Sequence, residues 1–444
     1  VKRCETAVTE LSQGRPTLVE NEFSSPAEAK LVEHMQKAAV LIEKIYAKQN
    51  GVDVHLAKVG KNDDLSRAVF FRNQSPFCAA PKTENDPACN ALAAAPKRLS
   101  GLYPADVQAN KEFCAMLEKQ PNGKDLMDHF SVVQADKKPG TFKAVHYSVA
   151  YKTEMEGIAK ELEGAAKTLD DTEAAFKAYL TAAAKSFRTN DWEPANEAWA
   201  AMGALNSKYY ARVAPDEVYF EPCAWKAGFA LQFARINKDS LEWQKKLDPV
   251  KADLEKAMAA MAGAPYVARD VSNNKLPDFI EVVLNAADQR NPHGATIGQS
   301  LPNWGPVAEK GGRTVAMVNL YTDADSLEAS KAQMAALFCA ATFAKGDAGN
   351  PKAGLMSTVL HEAAHKLGPS GDHKVDGKKD DEIFGGPLAA TMEELKAQTS
   401  AMWFADYLAD RKVITQDEAE KSHVKDMAWG FGHISRGMYS ADGK

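Results

Sequence analysis

The sequence predicts an α+β protein that is predominantly helical, and three observations carry that expectation. Long stretches repeat apolar residues at three- and four-residue steps, the period of an amphipathic helix. Three short runs rich in β-branched and aromatic residues follow later in the chain and suggest a small sheet between two helical regions. The length of 444 residues, 45% of them hydrophobic and 26% charged, is enough to bury a large core in two or three domains or lobes.

The first helical pattern runs from about Pro26 to Gly51 through Leu31, Val32, Met35, Ala38, Leu41, Ile42 and Ile45. Residues 52–140 hold most of the early Pro, Gly and Cys and predict short helices joined by loops. Helical patterns resume at Met155–Ser186 and Glu193–Val213. The strand-like runs are Glu217–Glu221, Phe279–Leu284 and Thr314–Tyr321, and a Gly/Asn/Pro breaker at Lys345–Pro351 precedes one more helix.

Composition excludes some classes of function. With 54 Lys and Arg against 60 Asp and Glu, the net charge is −6, and no basic stripe invites a nucleic acid. The most apolar stretch, Ala335–Ala344, has about half of the ~20 residues a membrane span needs, so no transmembrane segment is expected. The first residue is Val1, and Cys78 and Cys89 flank a polar, Pro-containing stretch that a disulfide would close. These features favour an exported protein, periplasmic or secreted, over the cytoplasmic alternative. Cys339, in an apolar helical stretch, reads as a buried free thiol.

The residues richest in chemistry are His361, Glu362 and His365, within Ser357–Gly368. Imidazoles four apart stand one above the other on a helix and can ligate one Zn²⁺, while the adjacent glutamate serves as general base. Leu355, Met356, Val359, Leu360 and Ala363 make this helix strongly apolar, and two histidines with a glutamate in it need a compensating partner.

Two histidines need a third protein ligand. The extended metzincin spacing fits at Gly368 but puts Gly371 where a histidine is required, with His373 two residues too far. A carboxylate on the following helix is the other option, and Glu393 and Glu394 in Thr391–Phe404 supply it. A plainer role competes there, because Thr391 with Glu394 three residues on also spells a capping box.

Glu393-Glu-Leu-Lys-Ala-Gln398, downstream of the His-Glu helix, resembles the Glu-Glu-Cys-Arg-Ala-Glu-like motif of the dipeptidyl peptidase III family. Glu217-Val-Tyr-Phe-Glu-Pro222 is similar to that family's Glu-Ser-Tyr-Arg-Asp-Pro stretch, and Gly298–Trp304 to its Ile-Pro-Asn-Tyr stretch, in the same order. The resemblance implies two lobes with a peptide cleft, one lobe helical and zinc-bearing, the other holding a small sheet or barrel. It implies Zn²⁺ on His361, His365 and Glu394, with Glu393 steadying a histidine from behind. It further implies that Tyr219 stabilises the oxyanion, Glu217 pairs with the substrate's free amino group, and Asn303 holds the peptide backbone with Trp304 packed alongside.

The chain departs from the family in its plain His-Glu-x-x-His, where the family has one extra residue. Its last residue, Lys444, falls short of a later family segment, so His433 and Arg436 are weighed as stand-ins and a C-terminal fragment of the same precursor as a partner. The resulting expectation is a helical N-terminal region (1–190), a mixed α/β substrate-binding lobe (191–345) and a helical zinc-site region (346–444) incomplete at its end. Its function would be zinc-dependent hydrolysis of short peptides, with Glu362 and Tyr219 catalytic. A zinc-stabilised peptide-binding or structural subunit with little turnover is the alternative.

Overall fold

Helix α1 (Pro26–Gln49) begins where Ser25 accepts the backbone N–H of Glu28 and Pro26 occupies the first turn. The computed structural model describes residues 23–77, 89–93, 98–217, 221–272, 277–290, 298–310, 312–347, 349–369, 373–379 and 381–434. Leu31, Met35, Ala38, Ile42 and Ile45 of α1 are fully buried or nearly so, as their spacing predicts. They form the face on which α2 (Lys152–Lys167) packs, and α3 (Ala174–Thr189) packs in turn on α2. Gly157 and Gly164 allow the close approach of α1 and α2, since an added Cβ would lie 2.7 Å from Leu41 and 2.4 Å from His34.

Residues 52–140 contain more than loops and short helices. Strand β1 (Ser131–Ala135) lies there and pairs with β2 (Phe142–His146) just beyond, in antiparallel register from Ser131 opposite His146 to Ala135 opposite Phe142. The Glu193–Val213 expectation needs a larger correction. Helix α4 (Glu193–Ala201) stops early, and Tyr209–Glu217 is strand β3. Alanine carries the helical signal through the first part, whereas Tyr209, Tyr210 and Val213 are β-formers buried on a sheet.

Strand β4 (Gly228–Asn237) gives no sequence signal, because its apolar residues are buried on both faces and do not alternate. The strand expected at Phe279–Leu284 is β5 (Asp278–Ala287), followed by β6 (Gly298–Leu301) and β7 (Arg313–Met317). The run expected to continue to Tyr321 instead turns helical at Asn319. Of the run Glu217–Glu221, residues 218–220 lie outside the described residues. The five strands are ordered β3-β4-β5-β7-β6, with β3 and β4 antiparallel and β5 and β7 parallel.

The chain divides into two compact units. The first comprises residues 1–236, 282–296 and 301–312, and the second 237–281, 297–300 and 313–444. In the first, a disulfide joins Cys114 to Cys223 across 109 residues, with Cα atoms 5.5 Å apart. Cys89 is also disulfide-bonded, while Cys78 lies outside the described residues. Cys339 is free but exposed, not buried, because it stands at the start of a short helix rather than within a core-facing one.

The second unit contains α5 (Asp239–Leu247), α6 (Lys251–Ala262), α7 (Ala324–Leu337), α8 (Pro351–Lys366), α9 (Gly386–Asp410) and α10 (Gln416–Ile434). Its core joins Leu254 and Met258 of α6 with Met356, Val359, Leu360 and Ala364 of α8 and Ala401, Phe404 and Ala405 of α9. Burying each large aliphatic or aromatic member contributes roughly 1.5–3 kcal/mol. The architecture is therefore α+β and predominantly helical, as expected.

Candidate metal centre

The second unit's core decides which side of α8 is left for chemistry. Asn350 caps the helix by accepting the Lys352 N–H at 3.0 Å, and Pro351 occupies its first turn. With Met356, Val359, Leu360, Ala363 and Ala364 buried, His361 and His365 share the remaining face. Their Nε2 atoms are 3.1 Å apart.

Helix α9 completes the cluster. Glu394 lies with Oε2 3.3 Å from His361 Nε2 and Oε1 3.8 Å from His365 Nε2. The ligating atoms of His361, His365 and Glu394 all fall within 4.8 Å of one another, the one such group among the described residues. Ligands at the Zn–N and Zn–O distance of about 2.0–2.1 Å in a tetrahedral shell stand about 3.3 Å apart, so the three side chains fit a zinc ion.

The remaining histidine nitrogens are tied down. His365 Nδ1 is 2.8 Å from Glu393 Oε1, which also pairs with Lys396 at 2.9 Å. His361 Nδ1 is 3.1 Å from Gln398 Oε1. Such contacts fix ring orientation and direct Nε2 at the shared point. Burial works against a charged His361, but the Glu394 hydrogen bond and nearby carboxylates outweigh it and raise its pKa. The hydrogen bond from His361 chiefly holds Glu394 below the usual carboxylate range, against burial. Metal binding exchanges protons on such a cluster for one divalent charge.

Glu362 lies beside the cluster. Burial raises its pKa, and the two histidines partly counter that. Its carboxylate fits against the backbone of β6, where a Cβ on Gly298 would come within 2.1 Å of Glu362 Oε1. Only glycine admits that approach.

The end of α8 is anchored from α6. Glu255, fully buried, accepts the N–H of Gly368 at 2.7 Å, the N–H of Arg269 at 2.9 Å and the hydroxyl of Tyr266 at 2.5 Å. Arg269 in turn donates to the carbonyls of Lys366 and Gly368 at 3.3 and 2.9 Å. Gly368 takes φ +70°, and any Cβ there would meet Met258 at 2.4 Å.

The other residues singled out in the sequence fall elsewhere. His373 packs edge-on to Tyr266 at 5.0 Å and is not a member of the metal-ligating cluster. Thr391 lies inside α9, which begins at Gly386, so it is not at the helix start and the capping-box role for Glu394 falls away. Asn303 and Trp304 belong to the first unit. There Asn303 Nδ2 donates to the carbonyl of Asp216 at 2.7 Å, and Trp304 stacks on His129 at 4.2 Å. Asp216 sits at a bulge of β3 just before Glu217, its carboxylate paired with buried Arg212. Tyr219 and Arg436 lie outside the described residues, as do the side chains of Glu217 and His433.

Sequence reasoning assigned no role to Gly298, Glu255 or Gln398. Gln398 alone had a signal, since it follows Glu394 by four and shares its face of α9.

No protein-family model matches the chain. Nudix hydrolase 3 of Arabidopsis thaliana is 22% identical over 358 residues, 78% of this chain and 44% of that protein. The chain thus spans less than half of that relative's length. Solved structures share the fold, among them two of dipeptidyl peptidase III. Dipeptidyl peptidase III from Caldithrix abyssi superposes with a TM-score of 0.79 at 20% identity, covering 98% of this chain and 81% of its own. Dipeptidyl-peptidase III from Corallococcus sp. strain EGB gives 0.73 at 20% identity, covering 97% and 79%. The fold is therefore that of dipeptidyl peptidase III structures.

Proposed function

We propose that this chain is a zinc-dependent peptidase that hydrolyses short peptides in the manner of dipeptidyl peptidase III. The observation that carries the reading is the convergence of His361 Nε2, His365 Nε2 and a Glu394 carboxylate oxygen, with both Nδ1 atoms engaged behind them. The fold shared with two dipeptidyl peptidase III structures supports the choice of a peptide substrate.

His361, His365 and Glu394 would hold the ion, and Glu393 would keep His365 in the ligating orientation. Zinc bound there supplies a Lewis acid that acidifies water and polarises the scissile carbonyl. Glu362, whose pKa burial raises, takes the proton from the attacking water and passes it to the leaving amine. Tyr219 would donate to the oxyanion, Glu217 would pair with the peptide's amino terminus, and Asn303 would hold its backbone with Trp304 alongside. The Cys114–Cys223 disulfide favours an oxidising, exported setting. Among the described residues no helix is long and apolar enough to cross a membrane.

The test is zinc content measured beside cleavage of short, N-terminally free peptides. One zinc per chain with turnover is expected, and Glu362→Gln should retain zinc while losing about 10²–10⁴-fold in kcat. Normal turnover in that variant removes Glu362 from the mechanism. Zinc without cleavage in the unaltered protein points to a binding subunit, and absence of both ends the metallopeptidase reading.

A further inference from the structure

His361 is held by a chain of side chains that reaches a third helix. Gln398 of α9 presents Oε1 to His361 Nδ1 at 3.1 Å, and its Nε2 donates to Asp426 Oδ1 of α10 at 3.3 Å. The same Asp426 oxygen accepts the hydroxyl of Ser357, one turn before His361 on α8. An amide has two chemically different ends and can rotate to exchange them, so Gln398 alone does not decide which end His361 meets. A carboxylate only accepts hydrogen bonds. Facing Asp426, Gln398 must turn its NH₂ outward to α10 and its carbonyl inward to His361, whose Nδ1 is then obliged to be the donor.

We propose that Asp426 is a positioning residue for the metal centre: through Gln398 it fixes the His361 tautomer that leaves Nε2 bare for zinc. This rests on the reading of His361 as a zinc ligand. Ser357 fastens Asp426 to α8 itself, so the carboxylate, the amide and the imidazole are joined by hydrogen bonds within the second unit. No sequence motif contains Asp426. It lies 28 residues beyond Gln398 and reaches the site only because α10 packs on both α8 and α9.

The experiment measures zinc affinity by chelator competition, independently of peptidase activity. Asp426→Asn keeps the shape but offers an NH₂ that lets Gln398 rotate and turn its own NH₂ on His361. Affinity should fall about 10–100-fold. Adding Gln398→Glu to Asp426→Asn restores an acceptor towards His361 and a matching donor behind it, so the double variant should recover most of the loss. Unchanged affinity in Asp426→Asn overturns the proposal, as does a double variant no tighter than the single one. Should the single variant fail to fold, the folded double variant decides alone: wild-type affinity supports the proposal, and weak affinity overturns it. If the unaltered protein binds no zinc, the metal reading itself fails and this inference goes with it.

Discussion

Gly298 shows how one residue without a side chain constrains the chemistry. Its Cα hydrogen leaves the space that the Glu362 carboxylate occupies, and a methyl group would overlap that oxygen at 2.1 Å. On the proposed peptidase reading, Gly298→Ala should displace Glu362 and lower kcat about 100-fold while leaving zinc content unchanged. Equal turnover in that variant would show that Glu362 has slack. Asp288, in the first unit, carries a cost of a different kind. Its carboxyl is buried, one oxygen accepts from Tyr46 at 2.8 Å, and the other has no partner among the described residues. Burial raises its pKa from 3.8 to about 6. A carboxyl raised in the native state holds its proton more tightly there, so stability is greatest below the ordinary value and falls as pH rises through 6. Asp288→Asn should gain about 3 kcal/mol near pH 8 and nothing near pH 3, read from urea melts at the two pH values.

At the scale of elements, the site depends on how α8 ends. A helix end leaves carbonyls without partners, and here Arg269 takes two of them while Glu255 captures the amide of Gly368. Burial pushes the Glu255 carboxyl up, but the Tyr266 hydroxyl and two backbone N–H groups outweigh it and hold it below the ordinary range. Glu255→Gln would set an amide NH₂ against donors and leave at least one buried group unpaired. The expected loss is about 3 kcal/mol of stability in urea, with weaker zinc binding as the last turn of α8 loosens. A variant as stable as the parent would show that Met258 and the core alone fix that end.

At the scale of the whole molecule, zinc binding at the proposed site would be linked to folding of the second unit. His361 and His365 come from α8 and Glu394 from α9, so the cluster exists only when both helices are docked. An ion bound only by the native state adds about 4 kcal/mol at 1,000 times its Kd. Chelation should accordingly lower Tm, and added zinc should restore it. His365→Ala, with only two ligands left, should show neither effect. A Tm indifferent to zinc would argue against the site.

The sequence by itself determined what is local and periodic. The 3.6-residue repeat specified α1 and most of α2 and α3, and the spacing of His361 and His365 put two imidazoles on one face whatever the rest of the chain did. Position 394 was legible only as one of two adjacent glutamates, since a capping role and a ligand role look alike until the helix start is known. Tertiary structure removed the capping role by starting α9 at Gly386 and brought Glu394 beside His361 and His365. It also decided β4, whose two buried faces erase alternation, and the ending of α4 in favour of β3. Gly298, Glu255 and Asp426 meet Glu362, Gly368 and Gln398 across long stretches of chain. No period or spacing encodes such meetings, because they arise from the packing of separate elements rather than from the order of residues within one.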